Sequence, residues 1–442
     1  MHVTPEYGDH IRATFKQILR YSFTLQPRHS PAPETTHLEH NEQHLVMAPL
    51  TEDDVYRAST QYRLWSYTPE ALSSFRAKTN SLAAAAIQSE QHNGGGSAEC
   101  LNVEEELALL THVTRQCLGV ADGIKLPTNV KATAAQCLKR FYLSTSVMDI
   151  HPKKIFPGCL YLATKAEHHY ISLSSFTEKL NSCMGKSKVT SDEVVAPEFR
   201  ITKGVRFTLT VRHPLRGLRG GLMELLAMAK GTAALLPHLG KTSQQIQTDM
   251  MRLPLPTGSS LRTTTTAHDL EKRCLEAVGK ATDILATAAL LTDVYFLYTP
   301  SQIWLAALLA VDEHLGSFYL DTKFAIASNP AALDDTSSST IDNAELTKAK
   351  VINLIRECAS IMHAHSTGSG QIPKEELVRI DKKLYKCTQK QESSAMNGAV
   401  KRNSTSAESG LVDEKAAKKR KSEREKRERE GDVFGGDLAA KE

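Results

Sequence analysis

The chain has 442 residues, of which 41% are hydrophobic and 24% charged, and its formal net charge is +4 at pH 7. This composition is typical of a soluble globular protein with tails, and it excludes a protein whose whole surface is a basic platform for nucleic acid. Aromatic residues make up only 6%. That scarcity favours an all-α fold, because strand-rich folds need aromatic and β-branched side chains to cover their faces.

Eight cysteines are scattered along the chain without a C-x-x-C pair. Most lie within apolar helical patterns, which predicts reduced core residues in a cytosolic or nuclear protein. The sequence has neither a charged-then-apolar N-terminus nor a run of about 18 apolar residues, so we expect no signal peptide and no membrane span.

The N-terminal part is predicted to be a mobile arm followed by a helical segment. Residues 1–50 show little apolar periodicity and form the arm, and residues 51–95 form the segment. A helix is predicted to begin near Thr68, because Thr68 can cap it and Pro69 suits its first position. The glycine run at 94–96 ends it.

Residues 96–210 are predicted to form a first bundle of helices with apolar residues at three-and-four spacing. Its third helix starts at Pro152, ends near Lys165 and is apolar almost all round, which predicts a central, buried position. A fifth helix follows Asp192, where Pro197 interrupts it, because a proline inside a helix costs ~3 kcal/mol.

Residues 211–390 are predicted to repeat this plan with long loops at 238–266 and 326–344. Their predicted helices lie at 215–236, 267–292, 303–311, 346–365 and 374–387. The stretch from Thr299 to Gln302 is a capping box before a strongly apolar helix. Its Thr299-Pro300 start repeats the His151-Pro152 start 148 residues earlier, which indicates an internal repeat.

Residues 391–442 are predicted to be a charged, disordered tail. Lys418, Lys419, Arg420 and Lys421 fit a nuclear import signal, and the upstream pair Lys401 and Arg402 can make it bipartite. The alternative is a solubilising tail, and the sequence leaves both readings open.

No residue pattern predicts catalysis, a metal or a cofactor. The run Glu167-His168-His169 has ligand-type side chains, but adjacent residues of a helix point apart and no cysteine or carboxylate stands at metal-like spacing. The glycine-rich stretches lack the flanking elements of a phosphate loop, and no nucleophile–base signature is present. The sequence therefore predicts a non-catalytic protein.

Several motifs together resemble the cyclin family, specifically a fungal-like version of the cyclin H subfamily. They are QYRLWSY at 61–67, RFYL at 140–143, SVM at 146–148, HP at 151–152, LATK at 162–165, F-x-L-x-V-x-HP at 207–214 and LTDVYFLYTPSQI at 291–303. The resemblance runs from about residue 55 to 325 and continues more weakly to 390. It implies two tandem five-helix cyclin boxes, at 96–210 and 211–390, with an additional N-terminal helix.

The resemblance also implies a function and partners. A protein of this subfamily is a regulatory subunit that binds and activates a cyclin-dependent kinase catalytic subunit, together with a RING-finger assembly factor. This CDK-activating kinase belongs to the larger general transcription factor IIH in the nucleus, and it phosphorylates the C-terminal domain of RNA polymerase II. Direct sequence-specific nucleic-acid contact is not expected.

In cyclins a lysine on the third helix and a glutamate on the fifth hold the kinase, and by resemblance these are Lys165 and Glu198. The glutamate is matched by its spacing of nine residues before Phe207. Pro197 is a departure, since the family runs a continuous helix there. The alternatives are a two-box transcription adaptor or a helical scaffold without a kinase; the adaptor needs an N-terminal zinc ribbon and basic box faces, which the sequence does not show.

Overall fold

The computed structural model describes residues 52–91, 99–185, 188–233, 240–261, 263–323, 338–366 and 372–387. Within these ranges the regular structure is α-helical, as predicted. The described residues include neither the predicted arm at 1–50 nor the predicted tail at 391–442. Most of the loop predicted at 326–344 also lies outside them. No described helix is both long and apolar enough to cross a membrane, and all eight cysteines are free.

Nine helices build the first half of the described chain. They are α1 Glu52–Arg57, α2 Thr60–Trp65, α3 Pro69–Gln91, α4 Val103–Gly123, α5 Thr128–Ser144, α6 Pro152–Ala166, α7 Leu173–Cys183, α8 Ser191–Val195 and α9 Glu198–Gly204.

Nine more helices follow in the second half. They are α10 Leu215–Ala229, α11 Ser243–Met251, α12 Ala267–Ala286, α13 Ala288–Leu291, α14 Val294–Leu297, α15 Pro300–Val311, α16 Glu313–Lys323, α17 Ser338–Ser366 and α18 at 374–387.

The predicted repeat is present as two helices with the same kind of start. Both α6 and α15 begin with proline at the first helical position. Before α15, the Thr299 hydroxyl accepts a hydrogen bond from the Gln302 amide, and the Gln302 side chain accepts one from the Thr299 amide. The predicted capping box is therefore confirmed. Before α6, the His151 imidazole accepts from the Lys153 amide instead.

Each of these two helices lies in its own hydrophobic cluster. The first cluster gathers α6 with most of α3–α9, and the second gathers α15 with α10–α17. The clusters interlock, because Leu118 and Ala135 belong to the second while Phe296 belongs to the first. The boundaries of the two boxes stay a prediction.

The last described helix, α18, packs on the first cluster although it follows the second half in the chain. Ile380, Leu384 and Cys387 are buried there. Its Arg379 and Lys383 reach Glu105 at the start of α4, with nitrogen–oxygen distances of 2.6 and 2.9 Å. The chain thus returns to the half from which it started.

Four predicted boundaries in the second half were wrong. The loop predicted at 238–266 contains α11, which has a Thr242–Gln245 capping box and buries Ile246 and Met250. The helix predicted at 267–292 is broken at Thr287, so that α13 can turn its own residues into the core. The loop predicted at 326–344 overlaps α17, which begins at Ser338. Likewise α10 ends at Ala229, before the positive φ of Gly231.

One ionic junction ties the two halves and the N-terminal helix together. The Arg76 guanidinium of α3 binds both carboxylate oxygens of Asp293 at 2.7 and 2.8 Å. The buried Lys139 of α5 lies 3.7 Å from the same carboxylate and donates to the Thr292 carbonyl. The Tyr67 amide completes the junction with a 2.8 Å hydrogen bond to the Phe296 carbonyl.

This junction predicts an acid-sensitive contribution to stability. Burial opposes ionisation of Asp293, but the hydrogen bonds from Arg76 and the charge of Lys139 outweigh it, so the pKa is lowered. A carboxylate with a lowered folded-state pKa stabilises the fold above its unfolded-state pKa, and that stabilisation is lost as the pH falls through the folded-state value.

We therefore expect Asp293→Asn to lower the free energy of unfolding by ~2 kcal/mol at neutral pH, because two cations lose their partner. The difference from wild type should shrink as the pH falls below about 4, measured by urea unfolding at a series of pH values. Asp122→Asn, which removes a carboxylate with 62% exposure, is the control. A pH-independent difference would contradict the assignment.

Candidate partner-binding face

The structure brings the two predicted site residues together. Lys165 lies in the last turn of α6 and Glu198 is the first residue of α9, and their side chains form an ion pair. The side chains are 43% and 29% exposed. The Lys165 ammonium also lies 4.9 Å from the centre of the Tyr161 ring. An ion pair this exposed contributes only ~0–1 kcal/mol to stability, so both charges can exchange their partner for one on another protein.

Pro197 positions Glu198 at the start of α9 and does not move it away from Lys165. Residues 196–197 form a turn between α8 and α9, so the fifth predicted helix is interrupted there, as expected. A capping box between Thr190 and Glu193 starts α8. The proline therefore ends one short helix and places Glu198 at the beginning of the next.

Gly158 lets α6 approach this turn closely. A Cβ atom at this position would lie 2.9 Å from both the Ile201 Cδ1 and Pro197 Cγ atoms. Real Cβ atoms do not come so close to heavy atoms, so a larger residue would push α9 away from α6. The distance between Lys165 and Glu198 thus depends on a glycine two turns earlier on α6.

Two exposed aromatic residues follow Glu198 in the chain, one within α9 and one just beyond its end. Phe199 is 73% exposed and Phe207 is 66% exposed. The Phe207 amide donates to the Thr202 carbonyl, which folds the chain back on the end of α9. We call Lys165, Glu198, Phe199 and Phe207 the charged-aromatic face.

Sequence reasoning used Phe207 as a motif residue and a spacing marker but not as a binding residue, and it missed Phe199. The four-residue spacing of the apolar residues Ile201 and Val205 was a partial signal for Phe199. Both are fully buried in the structure, so they define the inner side of α9. Phe199 lies outside that buried side of the helix.

Trp65 of α2 fixes the backbone that carries Phe207. Its indole N–H donates to the Thr208 hydroxyl at 2.8 Å, and the Arg140 and Arg206 guanidinium groups lie 5.0 and 5.1 Å from its ring. Both Arg206 and Phe207 have positive φ values, 55° and 57°. Such a conformation is unfavourable for bulky residues, so the contacts of Trp65 hold it in place.

Glu167, at the start of the histidine-containing run beyond Lys165, makes contacts within the fold. Glu167 accepts a hydrogen bond from the Thr133 hydroxyl at 2.6 Å and lies 3.8 Å from the His213 imidazole. The interaction with His213 lowers the pKa of Glu167. In the part of the chain that the structure describes, no group of three or more His, Cys, Asp or Glu residues is placed to hold a metal ion. The import-signal residues lie outside that part.

Comparison with known proteins bears on this fold and face. A family model described as the cyclin C-terminal domain matches residues 213–363. Cyclin CCL1 of Saccharomyces cerevisiae is 34% identical over 289 residues, which are 62% of this chain and 62% of that protein. Cyclin mcs2 of Schizosaccharomyces pombe is 30% identical over 280 residues, 61% of this chain and 73% of its own length.

This chain belongs to the cyclin family. Other relatives carry the name cyclin-H, the subfamily that the sequence motifs resemble. This cyclin spans less than two thirds of CCL1. It is also similar to a chain in the structure of the CAK complex of Chaetomium thermophilum bound to ATP-gamma-S, with 28% identity and a TM-score of 0.59, covering 82% of this chain and 98% of that one. The predicted all-α cyclin fold is therefore confirmed.

The contacts of Trp65 generate a testable expectation for the face of this cyclin. In Trp65→Leu the indole hydrogen bond and both cation contacts are lost, so the 205–209 backbone should open more often. We expect amide hydrogen exchange of this segment to increase by at least about tenfold, as for a loss of ~1.4 kcal/mol in local stability, measured by mass spectrometry.

Trp304→Leu is the matched control, because Trp304 is also buried but packs on Tyr319 in the second cluster. It should lower global stability without a selective effect on residues 205–209. If amide hydrogen exchange of residues 205–209 changed equally in both variants, Trp65 would not stabilise this segment specifically.

Proposed function

We propose that this cyclin is the regulatory subunit that binds and activates a transcriptional cyclin-dependent kinase, which phosphorylates the C-terminal domain of RNA polymerase II within general transcription factor IIH. The observation that carries the proposal is the similarity over 98% of a chain of the CAK complex. The exposed pairing of Lys165 with Glu198 supports it, because these are the residues that the cyclin resemblance assigns to kinase binding.

The charged-aromatic face has the composition of a binding surface. Lys165 and Glu198 offer one donor and one acceptor group to the backbone of a kinase helix, and hydrogen bonds to charged groups are the strong class. Phe199, next to Glu198 in the chain, and Phe207, beyond the end of α9, add exposed apolar area. Aromatic anchors next to desolvated charges are where binding energy concentrates in protein interfaces.

In this proposal the chain contributes no catalytic residue of its own. Its effect is positional: an active kinase needs its helix-borne glutamate paired with its lysine, and a rigid cyclin face can hold that helix in place. The interlocked clusters and the junction at Asp293 supply the rigidity.

We include in the proposal a RING-finger assembly factor and the larger transcription factor complex as partners, and the nucleus as the location. Lys401, Arg402 and Lys418–Lys421 would supply the import signal.

The kinase contact is tested by Lys165→Ala combined with Glu198→Ala. Loss of both charges should weaken kinase binding by about 2–5 kcal/mol, because the partner groups they desolvate stay unpaired. Binding is measured by co-purification and titration of the kinase, and activation by phosphorylation of a polymerase repeat peptide.

The control is Lys241→Ala with Asp249→Ala, a pair in the second half with similar exposure of 53% and 33%. It should bind and activate like wild type. Wild-type behaviour of the Lys165/Glu198 variant would overturn the site assignment, whereas absence of any kinase from the purified wild-type protein would favour the adaptor or scaffold instead.

The import signal is tested by replacing Lys418–Lys421 with alanines in a fluorescent fusion. Removal of four positive charges should reduce nuclear accumulation, because import receptors read clustered basic residues. Substituting the four arginine and lysine residues at 424, 426, 427 and 429, which are interleaved with glutamates, is the control. Unchanged accumulation of the first variant would leave the tail as a solubilising segment.

A further inference from the structure

A groove of about 1040 Å³ lies between α4, α6 and the segment that runs from the end of α7 to α9. All of its lining residues belong to the first half of the chain, and its apolar floor includes Ile155, Phe156 and Pro157. Ile155 and Phe156 are 2% exposed and belong to the first hydrophobic cluster. The floor is therefore the outer surface of the core, and the groove is large enough to take several side chains of a peptide.

Cations outnumber anions along this groove. One lining residue, Glu193, is acidic, and its carboxylate accepts a 2.8 Å hydrogen bond from the Thr190 amide in the capping box of α8. Four lining residues are exposed cations: Lys153, Lys154, Lys188 and Arg200. We call the site the cationic groove. Its charge favours a ligand that brings carboxylates to an apolar floor.

Three of these cations are available to a ligand. Lys153 lies 3.4 Å from the Asp381 carboxylate of α18. Among the described residues, no carboxylate forms an ion pair with Lys154, Lys188 or Arg200. An incoming carboxylate therefore has no described acidic side chain to displace from them.

Gly119 leaves the α4 side of the groove open. It lines the groove and is exposed, and a Cβ atom at this position would have no heavy atom within 4 Å. Glycine inside a helix is less favourable than a residue with a side chain. A larger residue at 119 would therefore narrow the groove without straining the helix.

The chain beyond α18 leaves from the half of the protein that contains the groove. This helix packs on the first cluster, and its Asp381 contacts Lys153 at the rim of the groove. Residues 388–429 separate the end of α18 from residue 430. A predicted coil of that length spans roughly 35 Å, about the diameter of a small domain, so residues beyond it can reach the groove.

Residues 430–442 have the composition that this groove favours. They contain four acidic residues, one lysine and the large apolar residues Val433, Phe434 and Leu438. The segment at 408–414 also combines acidic and apolar residues, but five lysine and arginine residues follow it within 415–421. The groove cations would repel that basic run, so the complementary segment is 430–442.

We propose that residues 430–442 of this chain bind in the cationic groove, with Phe434 and Leu438 on its apolar floor and the neighbouring carboxylates at its cations. Attachment to α18 raises the local concentration of the segment, so modest contacts suffice to fill the groove. Pro197 and Arg200 line the groove on either side of Glu198. An occupied groove therefore lies next to the proposed kinase contact but does not use its residues.

The test uses the full chain and a carbodiimide, which joins a lysine amine to a nearby carboxylate with loss of water. Mass spectrometry should find Lys154 and Lys188 linked to carboxylates of residues 430–442. Phe434→Ala/Leu438→Ala should lower the yield of these links at least about tenfold, because the apolar anchors are lost while every charge remains. Leu411→Ala/Val412→Ala removes the apolar pair of the segment at 408–414 and should leave the yield unchanged.

A second pair of variants tests the groove itself. Gly119→Leu should lower the yield of the links, because leucine narrows the groove. Gly279→Leu is the matched control, since Gly279 is an exposed glycine inside α12 whose Cβ position also has no heavy atom within 4 Å. It should leave the yield unchanged, and both variants should keep the wild-type melting temperature.

The proposal is overturned if Lys154 and Lys188 form these links no more often than Lys78 and Lys179, which are exposed on α3 and α7. Links that persist in Phe434→Ala/Leu438→Ala would also overturn it, because they would show unspecific charge attraction. A mixture of isotopically labelled and unlabelled protein that gives links only between chains would assign the groove to a second copy instead. Since no kinase is present in this assay, its outcome is independent of the proposed kinase contact.

Discussion

The carboxylate of Asp293 is the point on which the arrangement of the two halves depends. Three segments far apart in the chain meet there: α3 through Arg76, α5 through Lys139 and the start of α14 through Asp293 itself. Arg76 makes both close hydrogen bonds to this carboxylate, whereas Lys139 lies 3.7 Å from it. Departure of α3 would therefore leave the partly buried Asp293 with a single, more distant cation. The neighbouring Tyr67–Phe296 backbone bond joins the same segments through neutral groups.

From this junction the order extends to the exposed surface through α2. Trp65 and Gln61 lie just before α3, and they hold the 206–212 segment that leads from the first half into the second. The exposed side chains of Phe207 and Arg212 therefore lie on one fixed segment. Polar contacts made by buried side chains thereby fix a segment whose own side chains are exposed.

Local sequence signals account for much of the fold. Proline at the start of α6 and α15, the capping box at Thr299 and the apolar periodicity of both helices depend on neighbouring residues, and all were predicted correctly. The missed helix α11 had such a signal too, but its Ser-, Thr- and Gln-rich sequence resembles a loop. The return of α18 to Glu105 depends on a partner distant in the sequence, which no local pattern contains.

The candidate site divides in the same way. Resemblance identified Lys165 and Glu198, and the structure pairs them. Phe199 was missed because its exposure depends on which side of α9 the core covers. The types of side chain at the site could be read from the sequence, whereas their positions relative to one another depend on the fold.

Gly158 illustrates how the geometry of a proposed binding face can depend on a residue that has no side chain to offer a partner. It has no side chain to contribute, yet the separation of α6 from α9 is set by the absence of its Cβ atom. A mutational map of the face made by truncating side chains would pass over it, because nothing remains to truncate. Positions of this kind limit how far such maps describe an interface: they record which groups bind, but not what sets the spacing between them.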